Sequence, residues 1–187
     1  QRSGDIVIDP AHFEAVLRVQ NRAQVRSIFD DFFGSYTTVA KPLTSPSTTI
    51  HVAELPAGKP IGFSGGVGQF SISSNISDTE LQANEAVTLT LTIQGTGNMK
   101  LLKTPVVDWP EGFEVYDPKV SNNFKSTTTG VSGIKTIEYL AIPRAGGTYS
   151  IPPIHFAYYD TQADIYKMLT TPEYILQIAR TANEDAN

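Results

Sequence analysis

Seven consecutive residues in the middle of the chain set the terms of its fold. Val87, Leu89, Leu91 and Ile93 alternate with Thr88, Thr90 and Thr92. One face of this segment is apolar and the other hydroxylated, a period of two that belongs to a half-buried strand and not to a helix. Gly95-Thr96-Gly97-Asn98 is expected to end it as a turn. Weaker strand patterns recur at 67–73, 113–116, 119–127, 134–142, 148–151, 153–159 and 173–179. Turn signals separate them at Asp108–Gly112, Gly130–Gly133 and Arg144–Gly147. Short strands at this spacing predict an all-β antiparallel sandwich. Its expected core is Phe70, Ile72, Leu89, Leu91, Ile93, Val115, Ile137, Tyr149, Ile151 and Phe156.

Composition narrows the function. Hydrophobic residues make up 40% of the 187 and charged residues only 18%. The polarity comes from Ser, Thr, Asn and Gln, a balance that suits β-rich extracytoplasmic proteins. Fourteen Lys and Arg against 19 Asp and Glu give a net charge of −5. That lacks the basic field a nucleic-acid binder needs to neutralise phosphates. No apolar run reaches the roughly 18–20 residues that cross a bilayer as a helix, and the first residues contain no signal-peptide apolar core. With 0 Cys there is no disulfide framework, thiolate zinc site or thiol nucleophile. Gln1-Arg2-Ser3-Gly4 leads straight into strand-like sequence, as expected of a piece of something longer.

The first fifty residues start as strand. Ile6 and Ile8 alternate with Asp5, Val7 and Asp9, and Phe13, Ala15, Leu17 and Val19 line one face. The pattern breaks after Gln20. Arg18, Arg22 and Arg26, four apart, would share a helix face, and 21–35 reads as a long connection with one helical turn.

The chain also repeats itself. Residues 4–13, GDIVIDPAHF, match residues 147–156, GTYSIPPIHF, at an offset of 143 (147 − 4). Leu43-Thr44-Ser45-Pro46 matches Leu169-Thr170-Thr171-Pro172 at an offset of 126 (172 − 46), and an apolar strand follows each. The difference of 17 (143 − 126) is extra connection in the first copy. If 147–179 closes the domain that begins near residue 65, then 4–52 is expected to close a preceding domain of the same kind. The expected organisation is therefore a hairpin from a truncated domain (1–56), a Pro/Gly linker (57–63), a complete sandwich (64–179) and a tail (180–187).

At the linker the sequence resembles a known family. Leu55-Pro56, Gly58-Lys59-Pro60 and the block Phe63-Ser64-Gly65-Gly66-Val67-Gly68-Gln69-Phe70 are similar to the BatD, or Bacteroides aerotolerance, proteins. So are Phe29-Asp30-Asp31-Phe32-Phe33-Gly34 and the closing run from Arg144 to Ile178. The resemblance implies tandem immunoglobulin-like domains on the periplasmic side of a Gram-negative inner membrane, held by an anchoring segment. It implies von Willebrand A-type and TPR-type Bat partners and a MoxR-type ATPase, in a complex that supports oxygen tolerance. It brings no catalytic residues and no cofactor.

Individual residues support a binding module over an enzyme. Phe29, Asp30, Asp31, Phe32 and Phe33 are the candidate partner contact, since three aromatics on a long connection form an apolar patch or tuck back onto their own domain. Asp30-Asp31 lacks the alternating carboxylates of a calcium loop. Gly65, Gly66 and Gly68 lead into a strand and not a helix, which excludes a phosphate loop and points to a bulge or close approach; Gly58 and Pro60 shape the linker. His12 and His155 hold matching repeat positions, and His51 stands alone, so structural roles are expected for all three. Packing is expected for Trp109. The alternative is a carbohydrate-binding or adhesin-like module with Trp109, Tyr158 and Tyr159 as stacking platforms. A cryptic hydrolase lacks support, because no serine sits in a nucleophile elbow. A further expectation is chain–chain pairing through the open edge of the N-terminal hairpin.

Overall fold

The computed structural model describes residues 3–20, 36–128 and 130–180. Among them the chain is all-β, with one 3-10 turn at Met99–Leu101 and no α-helix. It divides into two compact units, Gln1–Ala57 and Gly58–Asn187.

The second unit is an immunoglobulin-like β-sandwich. Before its strands come β1 (Gly4–Ile8), β2 (His12–Gln20), β3 (Tyr36–Thr44) and β4 (Thr48–Val52) of the first unit. The larger sheet then uses β5 (Phe63–Ile76), β7 (Val87–Gly97), β8 (Phe113–Val115), β9 (Lys119–Thr127), β10 (Gly130–Pro143), β12 (His155–Asp160) and β13 (Ile165–Thr170). Its order is β13-β12-β5-β7-β10-β8, with β9 also on β10. The smaller sheet uses β6 (Glu80–Gln82), β11 (Gly147–Ile151) and β14 (Tyr174–Ala179), in the order β11-β14-β6.

The alternating segment does what its period dictates. Val87, Leu89, Leu91 and Ile93 are buried on β7, and the intervening threonines are partly exposed. Opposite them on β10, Ile137, Tyr139 and Ala141 turn the same way. Ile151, Leu176, Ile178 and Leu81 of the smaller sheet complete one continuous core. Phe70 lies edge-on to Phe156 and Tyr158, with ring centroids 5.8 and 5.3 Å apart, an arrangement that adds to area burial.

Several boundaries differ from the sequence reading. Val115 is 50% exposed and not core, because β8 is a three-residue edge segment beyond the cover of the smaller sheet. Ile72 and Tyr149 pack against the core only half-buried. Gly130–Gly133 is not a turn; those residues open β10 and pair with β9, Gly133 facing Phe124. Likewise Gly95 and Gly97 continue β7, and the chain turns at Asn98. Both glycines are needed in the strand: a Cβ at Gly97 would lie 2.2 Å from the Val67 carbonyl oxygen, and one at Gly95 2.2 Å from that of Gln69. Pro153 and Ile154 stay outside the strand expected over 153–159, which begins at His155. β3, β6 and β13 fall where the sequence reading places no strand.

In the first unit β1 pairs with β4 and β2 with β3, all antiparallel. Gly4 faces Val52 and His12 faces Thr44, eight residues on in one arm and eight back in the other. The register therefore runs unshifted through the break between the ladders. Pro10 and Pro46 fall opposite each other at that break, where neither can donate to the ladder. None of the described residues of this hairpin is buried. Arg18 lies in β2, so it shares no helix face with Arg22 and Arg26, which fall outside the described residues.

Candidate interaction surfaces

One end of the sandwich is organised by a single carboxylate. Asp160 ends β12 with its side chain 3% exposed. It accepts hydrogen bonds from Gln69 Nε2 on β5, from Lys167 Nζ on β13, and from the N–H groups of Gln162 (2.9 Å) and Ala163 (3.0 Å) in the intervening turn. The Lys167 contact first, then Gln69 and the backbone, hold its carboxyl well below the ordinary aspartate range. Asp164, at φ 57°, closes the turn with its N–H on the Asp160 carbonyl at 2.8 Å. Tyr159 donates its hydroxyl to the Asp164 carboxylate, which together with burial pushes the phenol up to about 12. Three donors on Oδ1 and one on Oδ2 thus tie β5, the turn and β13 to Asp160, and it is a structural knot.

Beside that knot the larger sheet has an unoccupied edge. β13 pairs with β12 on one side and with no described strand on the other. Ile165 and Met168 project from it, each about half exposed (53% and 52%). Tyr166 sets its ring edge-on to Phe63 at 5.6 Å and to Tyr159 at 5.2 Å. Lys59 lies 5.5 Å above the Phe63 ring centroid. The result is a strand edge backed by a fixed aromatic cluster and flanked by exposed apolar side chains. Such an edge accepts an added strand through main-chain hydrogen bonds and selects it through side-chain pockets.

A second concavity, of about 360 Å³, opens between Phe63, Lys103–Val106 and Pro152–His155. Its polar side chains Lys103, Asp108 and His155 make no hydrogen bond or ion pair with one another. No group of three or more His, Cys, Asp or Glu is placed to hold a metal ion among the described residues.

The residues singled out from sequence separate into three outcomes. Phe29, Asp30, Asp31, Phe32 and Phe33 lie outside the described residues. Gly65, Gly66 and Gly68 sit in β5, and the ladder to β12 shifts there, Ala157 facing Phe63 while Tyr158 faces Gly66. Gly65 (φ +80°) takes up the bulge, and Gly68 lets β5 pass so close to β7 that a Cβ would meet the Thr96 carbonyl oxygen at 2.1 Å. Gly58 opens the second unit at φ +90° with open space around it, and Pro60 accepts the Phe63 N–H at 3.2 Å. His12 and His155 make the same contact in their two hairpins, Nδ1 to Thr44 Oγ1 at 3.1 Å and to Thr170 Oγ1 at 3.3 Å. His51 pairs with Asp5 across the hairpin.

The stacking-platform alternative loses its tyrosines. Tyr158 is buried in the core against Phe70 and Phe156, and Tyr159 is buried beside Tyr166 with its hydroxyl on Asp164. Trp109 is half-buried and stacked on Phe113 at 5.8 Å, with its Nε1 buried and without a hydrogen-bond partner among the described residues.

Sequence reasoning missed Asp160 and its partners, whose only advance signal is an Asp-to-Lys interval spanning a short turn. It also missed Lys135, buried on the inward side of β10, where desolvation lowers the ammonium's affinity for its proton. Among the described residues no helix is long and apolar enough to cross a membrane. Comparison with known proteins gives a family model, described as the BatD DUF11-like domain, matching residues 74–178. That span covers more than half of the chain, from the end of β5 into β14. No curated protein matches the chain.

Proposed function

The chain belongs to the BatD family, and from that premise we propose that it is a non-enzymatic protein-interaction module of an envelope complex supporting oxygen tolerance. In this reading the parent protein is membrane-anchored and faces the periplasm of a Gram-negative bacterium. Its partners are the von Willebrand A-type and TPR-type Bat proteins. The sandwich acts as a rigid mount, and its open β13 edge receives a strand from a partner. The observation that carries this reading is that edge, with Met168 exposed on the face of the aromatic cluster of Tyr166, Tyr159 and Phe63, and Ile165 exposed on the other face. Burial of such side chains at an interface core supplies affinity, while the strand pairing supplies register.

The test is capture of purified partner ectodomains by the chain and by the double variant Ile165→Lys, Met168→Lys. Lysines on an edge strand deter pairing without touching the core. Capture about tenfold weaker, with an unchanged thermal midpoint, is the expected result; 1.4 kcal/mol of lost interface energy gives that factor. Equal capture by both proteins would remove the β13 edge as the contact.

A further inference from the structure

The only sulfur atoms of the chain are the thioethers of Met99 and Met168, since it has no cysteine. The fold treats the two oppositely. Met99, in the 3-10 turn, is 0% exposed and belongs to the continuous core. Met168 is 52% exposed on the open edge strand β13. A peroxide must reach the sulfur to oxidise it, so native packing shields one methionine and presents the other.

The position of Met168 gives its oxidation a consequence. Met168 faces Ala157 of β12, and Ala157 faces Phe63 of β5, so the three form one row across the sheet. Tyr166, two residues before Met168 on the same face, is fixed edge-on to Phe63 and Tyr159. In such surroundings a thioether is an adaptable, polarisable apolar contact. Its sulfoxide is polar and chiral, with an oxygen that accepts hydrogen bonds. Neither Ala157 nor Phe63 has a side-chain donor to offer that oxygen. A strand that packs an apolar side chain on the thioether would bury the sulfoxide oxygen unpaired, and an unpaired buried acceptor opposes binding.

We infer that Met168 is an oxidisable contact, through which a peroxide releases the partner strand from β13. The inference rests on the β13 edge being the contact proposed above. In the step, the sulfur lone pair attacks the terminal oxygen of a hydroperoxide. The S–O bond forms, the O–O bond breaks, and the proton passes to the leaving oxygen, which departs as an alcohol, or as water when the oxidant is hydrogen peroxide. Sulfur loses two electrons and the peroxide gains them. The change is reversible, because methionine sulfoxide reductases return the thioether. Met99 stays reduced while the domain is folded, so the sandwich keeps its core as the edge changes.

The test treats the 187-residue chain alone with hydrogen peroxide, removes the oxidant, and then measures capture of the purified von Willebrand A-type ectodomain. Peptide mass mapping should find one added oxygen on Met168 and none on Met99. Capture should fall at least about fivefold, the lower end of what an unpaired buried polar group costs, with the thermal midpoint unchanged. Reductases for both sulfoxide epimers should restore it. Capture by Met168→Leu, whatever its starting strength, should be the same before and after peroxide. Oxidation of Met99 as fast as Met168, a loss that the reductases do not reverse, or a Met168→Leu protein that still responds to peroxide overturns the inference. If oxidised Met168 leaves capture unchanged while Ile165→Lys, Met168→Lys weakens it, the edge stands as the contact and the inference is wrong. If neither change weakens capture, the edge is not the contact and the inference falls with it.

Discussion

Phe13 and Phe156 occupy the same position in two matching hairpins, yet Phe156 is fully buried and Phe13 is 61% exposed. The same side chain in the same local backbone therefore carries different energies. Phe156→Ala should lower the stability of the sandwich by about 3–5 kcal/mol, the usual result of emptying a core aromatic site. Phe13→Ala should change the stability of the 187-residue chain by less than about 1 kcal/mol. Urea denaturation of the two variants checks both values, and similar losses would mean that Phe13 is covered in solution.

The glycines of the larger sheet separate into two kinds. Gly68 and Gly97 face each other between β5 and β7, and a Cβ on either would enter backbone at 2.1–2.2 Å. Gly112 shares their positive φ but has open space around it. Gly68→Ala and Gly97→Ala should each cost more than about 3 kcal/mol, combining overpacking with φ strain, while Gly112→Ala should cost only the strain, about 1–2 kcal/mol. Thermal melts rank the three, and a Gly112 variant as damaged as the other two would contradict the distinction.

Asp160 makes stability depend on pH with a definite sign. Its carboxyl is held low in the folded state, first by Lys167 and then by Gln69. Its contribution is therefore complete above the unfolded value of about 3.9 and is lost as pH falls through the lower folded value. Asp160→Asn should lower the thermal midpoint by several degrees at pH 7. The gap between the two proteins should begin to narrow only below about pH 4. Melts from pH 7 down to pH 2.5 test this, and a gap independent of pH would show that shape and not charge holds the turn.

Phe29, Phe32 and Phe33 supply a separate expectation. Replacing all three by Ser should weaken capture by partner ectodomains while leaving the sandwich's melting unchanged. Unchanged capture would remove this patch as a contact.

How much of this could be read from residues alone follows from which forces are local. β7 was legible because Val87 to Ile93 alternate without interruption and the strand has one face in the core. The repeat was legible as matching residues, and the structure gives the Ser45-Pro46 and Thr171-Pro172 corners and the two His-Phe pairs matching hydrogen bonds. β13 was not, because an edge strand is under no pressure to alternate. Tyr158 and Tyr159 misled because β12 is interior to its sheet, and its continuous run of buried residues erases the alternation that would have told inside from outside. The signal was Phe156-Ala157-Tyr158-Tyr159, four residues with no polar alternation, which fits a strand covered on both faces. Asp160 escaped notice for another reason: its donors come from β5, a turn and β13, three stretches that only the folded chain brings together.

The parallel ladders of the sandwich have a mechanical meaning. Its first strand, β5, pairs in parallel with β12, and its last, β14, pairs in parallel with β6. Tension drawn along either strand loads its ladder in shear, so that several hydrogen bonds must fail together, where a hairpin pulled from its open end would unzip one bond at a time. The strands by which the chain enters and leaves this domain are thus each held by a ladder that tension loads in shear.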